Sequence, residues 1–357
     1  MISSARTYIR KSLKSRMSRR MILPSLKKGA GRSVEQQYRV FSTKKVDDVA
    51  YAKTRVRDHD PAGYLPGQLL PTLIMKRSYY AVRSFWVETG LRFGSSAKVP
   101  LNAHPDDHLA WWQQGVDTVF DSDINVEDSK DFDHPTLRLL QSLLRHEKVP
   151  WEKSCFDAIL NGRRKDISVK QYDTLDDLVH HAEQSCGHLN RLVLQSGFVD
   201  EVNNPRAYEA ARLVGVCHGI TNALRTSIPI ISTTGKLIVP AELTQKYGVK
   251  SPRYLLSALG QGDETCVRAL RLAVQDISDT AQSYLDQARS LRSSILSEPD
   301  HARVLPVLLP GLASEMFLNR LKDKEYELTN RELRNVGWME QGFCAGRMYL
   351  ALYRKTY

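Results

Sequence analysis

The chain has 357 residues, 42% of them hydrophobic and 25% charged, with a formal net charge of +11. That length supports a sizeable core in one large domain or two ordinary ones. A mean hydropathy of -0.38, with no uninterrupted apolar run near membrane-spanning length, argues against a transmembrane helix.

The charge is unevenly placed. Eleven of the 51 basic residues precede Ser42, against a single acid, Glu35, so the remainder stands near neutrality at about +1. Residues 1–41 are rich in Arg, Lys and Ser and lack the apolar centre of a secretory signal, which is the composition of a disordered mitochondrial presequence. Arg39-Val40-Phe41-Ser42 matches the processing pattern R-x-F followed by S and predicts a mature start near Ser42. The competing reading is a basic arm for RNA or anionic lipid. The near-neutral remainder argues against nucleic acid as a partner of the mature chain. Five cysteines, Cys155, Cys186, Cys217, Cys266 and Cys344, are odd in number and widely spaced, which predicts buried thiols and neither a disulfide framework nor a zinc site.

In chain order, a helix is predicted over Val46–Arg57, and another carries Tyr79, Val82, Trp86 and Thr89 on one stripe. Asp106 or Asp107 is a candidate cap for the helix holding Trp111 and Trp112. The acidic stretch beginning Asp121-x-Asp123-x-Asn125 superficially resembles a calcium loop. Val126 stands at the turn glycine and Phe132 at the bidentate glutamate, so it reads as a solvated loop. Helices follow over Pro135–His146 and Pro150–Arg163, the second closed by Asn161-Gly162. His180, His181 and His188 lack a third ligand at helical spacing and read as surface or hydrogen-bonded histidines. Asn204-Pro205 starts a helix whose buried stripe is Ala210, Val214, Cys217, Ile220 and Leu224, with His218 as an interior histidine, a break at Pro229 and a restart at Pro240. Gln261–Glu298 is the longest predicted helix, with core positions Val267, Leu270, Val274, Ile277, Ala281, Tyr284, Ala288, Leu291 and Ile295. Pro306 and Pro310 break the next apolar stretch, residues 322–335 read as a charged link, and Trp338–Arg354 is the last helix.

The stretch from Gly215 to Leu243 carries a longer pattern. Gly215, Thr221, Asn222, Leu224, Arg225, Gly235, Lys236 and Pro240 match, in register, the second signature of the squalene/phytoene synthase family, G-x-x-x-x-x-T-N-x-L-R followed by G-R/K-x-x-x-P. Upstream, Arg57, Asp58, Asp60, Tyr64, Leu65, Leu69, Leu70 and Pro71 resemble the entry of its mitochondrial branch. Arg77, Ala81 and Phe85 resemble its R-x-x-x-x-A-x-x-A-F helix, and Arg163, Asp166, Tyr172, Thr174 and Leu178 its R-x-x-D...Y-x-T-x-x-x-L passage. The ending Arg354-Lys355-Thr356-Tyr357 is similar to that of family members acting in complex I assembly. The resemblance spans roughly Ser42–Tyr357. It implies one all-α domain over residues 42–357, an isoprenoid-synthase helical fold around a central cavity.

It also implies a deficit. In the family, two aspartates follow the signature arginine and hold Mg2+ against a prenyl diphosphate; the corresponding positions here are Thr226 and Ile230. The first Asp-rich motif falls, by the same register, on Gly90, Leu91 and Gly94. A hydroxyl, a branched alkane and two glycines cannot replace hard anionic oxygen ligands. Glu88, the nearest acid, reads as a helix-surface or partner-facing carboxylate. The aromatic turn that lines the substrate in active members is replaced by His181-Ala182-Glu183-Gln184-Ser185-Cys186-Gly187. Gly90, Gly94, His181, Thr226 and Ile230 are therefore vestigial pocket positions, with no catalytic, cofactor or metal residue assigned.

The resemblance thus implies a non-enzyme of the mitochondrial matrix, assisting complex I assembly through contacts with respiratory-complex subunits or assembly factors. A peripheral inner-membrane contact and a lipid in the cavity are compatible with it. The alternatives are a subunit or assembly factor of another particle such as the mitoribosome, and a diverged Mg-dependent prenyltransferase.

Overall fold

The computed structural model describes residues 47–90, 105–121, 134–249, 254–255, 257, 261, 263–334 and 338–357, and the regular elements among them are helical. Gly94, the acidic loop from residue 122 to residue 133 and the basic segment before Ser42 lie outside the described residues.

Helix α1, Asp48–His59, starts behind Asp47, whose carboxylate accepts the amides of Val49 and Ala50 at 3.0 and 3.2 Å. Asp60 ends α1 and caps α2, Pro61–Leu69, with Pro61 in its first turn. Helix α3, Leu73–Gly90, buries Tyr79, Val82 and Thr89, while Trp86 is half-buried. Helix α4, Pro105–Phe120, begins at the proline, so Asp106 and Asp107 sit in its first turn and not at the cap, where they complement the helix dipole. Trp112 is the fully buried member of the tryptophan pair, edge-on to Phe85 and His134.

Helix α5, Pro135–Arg145, is capped by His134, whose Nδ1 accepts the Thr136 amide at 3.2 Å. Burial lowers the pKa of that imidazole to about 4, so it is a neutral acceptor at physiological pH. Helix α6, Lys153–Ser168, starts later than expected and runs past Asn161-Gly162. Gly162 is buried against Gln184, and this packing outweighs the tendency of Asn-Gly to end a helix. Helix α7, Leu175–Ala182, opens on a capping box between Thr174 and Asp177. A π-helical turn, Glu183–Gly187, passes the chain into α8, His188–Ser196.

Helix α9, Pro205–Thr234, is the axis of the fold and packs against α7, the π turn, α8, α11, Glu264–Ser290, α13, His301–Leu308, and α14, Pro310–Asp323. Ala210, Val214, Cys217, Ile220 and Leu224 are all buried, as are Ala211, Leu213 and Val216, so α9 is enclosed on most sides. Each large apolar side chain so enclosed contributes roughly 1.5–3 kcal/mol. The break expected at Pro229 does not occur. Pro229 is exposed, so water can serve the carbonyl that its missing N–H leaves, and α9 continues to Gly235, which closes it at φ +69°.

After α10, Ala241–Tyr247, helix α11 starts behind Asp263 and ends at Ser290. The predicted 261–298 helix is therefore shorter, and it resumes after Leu291 as α12, Arg292–Leu296. Leu285, not Tyr284, fills the core turn, while Val267, Tyr284 and Leu291 are half-buried. Pro306 lies inside α13, and the interruption comes at Leu309 before Pro310. By length and composition His301–Asp323 is apolar enough to cross a membrane, yet 72% of its apolar window is buried within the fold. The charged link contains α15, Arg331–Arg334, and buries Leu328 and Leu333. Helix α16, Trp338–Tyr353, follows.

Candidate functional site

A cavity of about 1100 Å³ is lined by residues of α1 to α4, α6, α7, the π turn, α9, α14 and α16. Much of its wall is apolar, including Leu65, Ile167, Leu178, Ile238, Phe317 and Met348. Gly90, His181, Thr226 and Ile230 all line it, so four of the five pocket positions expected from the sequence converge on one chamber from α3, α7 and α9.

On the second-signature side, the Thr226 hydroxyl donates to the Asn222 carbonyl at 2.8 Å and is spent within its own helix. Ile230 adds alkane to the wall. On the opposing side, the Arg163 guanidinium covers Gly90: a Cβ there would meet Nη2 at 2.9 Å. The same guanidinium lies 5.1 Å from the Trp86 ring centre and donates to the Trp86 carbonyl at 3.4 Å. A cation thus approaches a first-motif position where the family has a carboxylate pair.

Two acids reach the chamber with their oxygens committed, Asp166 from α6 and Asp60 from the junction of α1 and α2. Asp166 accepts Tyr172 Oη at 2.6 Å, Lys236 Nζ at 2.6 Å and His181 Nε2 at 3.1 Å. Burial by itself would raise the Asp166 carboxyl, but His181 and Lys236 outweigh it and hold the group well below the usual carboxylate range. Asp60 is bonded to the buried Arg83. Among the described residues no group of three or more His, Cys, Asp or Glu side chains could hold a metal ion. The donor set around Thr226 and Ile230 does not fit Mg2+, which needs several hard oxygens in near-octahedral array.

The remaining polar lining favours an anion. Arg225 lies 4.9 Å from the Phe317 ring centre, donates to Asn222 Oδ1 at 3.2 Å, and has a buried Nε without an acceptor. Burial lowers its pKa from the usual range, with Asp60 opposing and Arg320 reinforcing the shift, yet an arginine stays charged in a protein. Asn222 Nδ2 donates to His218 Nε2 at 3.0 Å, which leaves His218 Nδ1–H facing Ser314 Oγ at 3.2 Å. Burial pushes the His218 pKa down to about 3, so this interior histidine is neutral and has two partners. It is not placed to titrate near neutrality.

One sequence expectation about the site needs correction. Glu88 is neither a surface nor a partner-facing carboxylate; it is fully buried, accepting Arg55 Nε at 2.6 Å and Tyr51 Oη at 2.7 Å. His181 takes the hydrogen-bonded arm of its expectation: it belongs to the Asp166 ion-pair cluster and has a buried Nδ1 lacking a partner. Arg163, Asp166 and Tyr172 stood out as letters of one motif and Lys236 as a letter of another, but nothing in the sequence paired Asp166 with Lys236 or with His181. The π turn was not anticipated; it places Ser185 and Cys186 on the cavity wall, where Ser185 Oγ accepts the Trp86 indole N–H at 3.1 Å.

Helices enclosing a chamber, with a T-N-x-L-R helix on its wall, define the isoprenoid-synthase class of proteins. The family profile described as squalene/phytoene synthase matches residues 56–339, and the chain belongs to that family. It is 25% identical over 281 residues to "NADH dehydrogenase (ubiquinone) complex I, assembly factor 6 homolog" of Dictyostelium discoideum, covering 79% of this chain and 72% of that one. It is 22% identical over 307 residues to the assembly factor 6 of Mus musculus, covering 86% and 82%. Among solved structures, a dehydrosqualene synthase superposes with a TM-score of 0.66 at 16% identity, over 90% of this chain and 99% of the other. A squalene synthase of Alicyclobacillus acidocaldarius gives 0.59 at 17%, over 78% and 95%. These structural likenesses establish the fold.

Proposed function

We propose that this chain is a non-catalytic mitochondrial protein acting in the assembly of respiratory complex I, through contacts with its subunits or other assembly factors on the matrix side of the inner membrane. The observation that carries the reading is the chamber. It keeps the enclosing helices of a diphosphate-ionising enzyme, while Thr226 and Ile230 stand where metal ligands belong and Asp166 is consumed by Tyr172, His181 and Lys236. The kinship with two proteins named for complex I assembly supports the biological setting. Residues 1–41 would serve as the presequence and be removed near Ser42. An apolar wall with Arg225 in it suits a lipid whose anionic head is held without metal.

Affinity purification from mitochondria tests the reading. Complex I subunits and assembly intermediates are expected to copurify. Ribosomal proteins with rRNA in their place would transfer the protein to the mitoribosome. The enzymatic question has its own readout: with labelled farnesyl or geranylgeranyl diphosphate and Mg2+, neither the chain nor its Thr226→Asp/Ile230→Asp variant is expected to form product. The paired substitution restores one motif and leaves the other at Gly90, Leu91 and Gly94. Labelled product from the unmodified chain, abolished by a cavity substitution, would overturn the non-catalytic reading.

A further inference from the structure

Helix α16 has two faces of opposite use. Its inner face buries Met348 and Ala351 against Leu309 and Leu312, and Cys344, Ala345 and Met348 form part of the cavity wall. Its outer face carries Phe343 at 64% exposure, Tyr349 at 58%, Leu350 at 46% and Tyr353 at 88%. Steps of three and four residues from Phe343 through Gly346 and Leu350 to Tyr353 place these on one stripe, and the exposed Gly346 leaves it unobstructed. These are four of the nine large apolar side chains found exposed among the described residues, gathered on one helix. Concentration of this kind marks a contact surface, since soluble proteins scatter exposed apolar residues singly.

Charge indicates what the surface meets. Residues 343–357 contain Arg347, Arg354 and Lys355 and no acidic residue. Arg347 is paired with Glu315, whereas Arg354 and Lys355 are exposed at the end of the stripe. Their backbone is pinned: Arg292 donates to the carbonyls of Lys355 and Arg354 at 2.7 and 3.0 Å. Tyr357 anchors the following turn through Oη to the Ala288 carbonyl at 2.6 Å. Tyrosine and phenylalanine on one helical face, bounded by fixed basic residues, is the pattern of a helix lying in the interface of an anionic bilayer. There, rings occupy the headgroup–acyl boundary and cations meet the phosphates.

We propose that the outer face of α16 seats this protein on an anionic membrane surface, with Phe343, Tyr349, Leu350 and Tyr353 entering the interface and Arg354 and Lys355 contacting lipid phosphates. The proposal rests on the inner-membrane placement given above and needs no complex I component. His301–Asp323, buried in the fold, plays no part in it.

Hydrogen exchange on the full chain tests it, because exchange resolves α16 from the basic segment before Ser42, which also attracts anionic lipid. With vesicles of phosphatidylcholine and phosphatidylglycerol in equal amounts, amides of residues 343–353 are expected to exchange about tenfold more slowly than in buffer. The Phe343→Ser/Tyr349→Ser/Tyr353→Ser variant should keep the thermal midpoint of the unmodified chain, since those side chains are exposed, and lose the vesicle-dependent protection. Arg354→Glu/Lys355→Glu should weaken it and leave the fold intact. Unchanged exchange in residues 343–353 on these vesicles would overturn the proposal. Protection that rises with protein concentration in the absence of lipid would assign the face to a second copy and overturn it equally. Neither result depends on what copurifies from mitochondria, so the assembly reading and the docking face can fail separately.

Discussion

Asp60→Ala is expected to destabilise the protein by about 3–5 kcal/mol, the usual consequence of removing one partner from a buried ion pair. Arg83 is 1% exposed and its carboxylate partner Asp60 6% exposed, so the guanidinium left behind could not recover its hydration. The surroundings are built for the pair. Gly63 lacks the Cβ that would strike both charged groups, and the Arg83 guanidinium carbon lies 5.3 Å from the Tyr79 ring centre. Tyr79 Oη in turn donates to the Gly63 carbonyl at 2.6 Å. Asp60 also accepts the Gly63 amide at 3.0 Å as the cap of α2, which adds roughly 1 kcal/mol to the loss. Urea denaturation measures the change. The double variant Asp60→Asn/Arg83→Met should recover part of it by removing the stranded charge. A deficit for Asp60→Ala no larger than that of a lost cap would show that Arg83 finds water or another acceptor.

Gly215→Ala is the second large effect, and it follows from proximity. The added Cβ would lie 2.6 Å from the Cys186 carbonyl oxygen and 2.7 Å from the Gly187 Cα, both backbone atoms of the π turn packed against α9. Backbone cannot rotate aside as a flexible side chain would, so two elements of the core must separate. Overpacking of this kind costs about 1–3 kcal/mol, and Gly215→Val should cost more. Gly346→Ala is the control: nothing lies within 4 Å of its Cβ position, and helix propensity favours alanine over glycine by about 1 kcal/mol. Thermal unfolding of the two alanine variants should move their midpoints in opposite directions. A Gly215→Ala protein as stable as the parent would mean that the π turn yields more readily than its burial suggests.

The same glycine shows how far the sequence was legible. Gly215 stood out as one letter of a family signature, and the structure supplies its physical reason in the near-contact of α9 with the π turn. The apolar stripe from Ala210 to Leu224 was readable because helical periodicity is a local property, and all five residues are buried. Local punctuation was less reliable. Asn161-Gly162, Pro229 and Pro306 each suggested a helix end, and in each case the helix continues, because a buried contact or an exposed position makes the local cost tolerable.

Pairings across long separations were not readable at all. Glu88 meets Arg55 across 33 residues, and Asp166 meets Lys236 across 70. Nothing in the intervening chain encodes either partner, because each pair is brought together by helix packing.

The sequence by itself determined which atoms exist at each position. Threonine and isoleucine at 226 and 230 cannot present carboxylate oxygens however the chain folds, and the periodicity that marks the individual helices is written residue by residue. The tertiary structure alone decided which of the remaining charges are spent and which face outward. It paired Asp166 with Lys236 and His181, left the Arg225 Nε in the chamber without an acceptor, and turned Phe343, Tyr349 and Tyr353 toward solvent. The reason is physical: side-chain chemistry is fixed by covalent structure, whereas neighbours and exposure are set by how distant helices close around a common core.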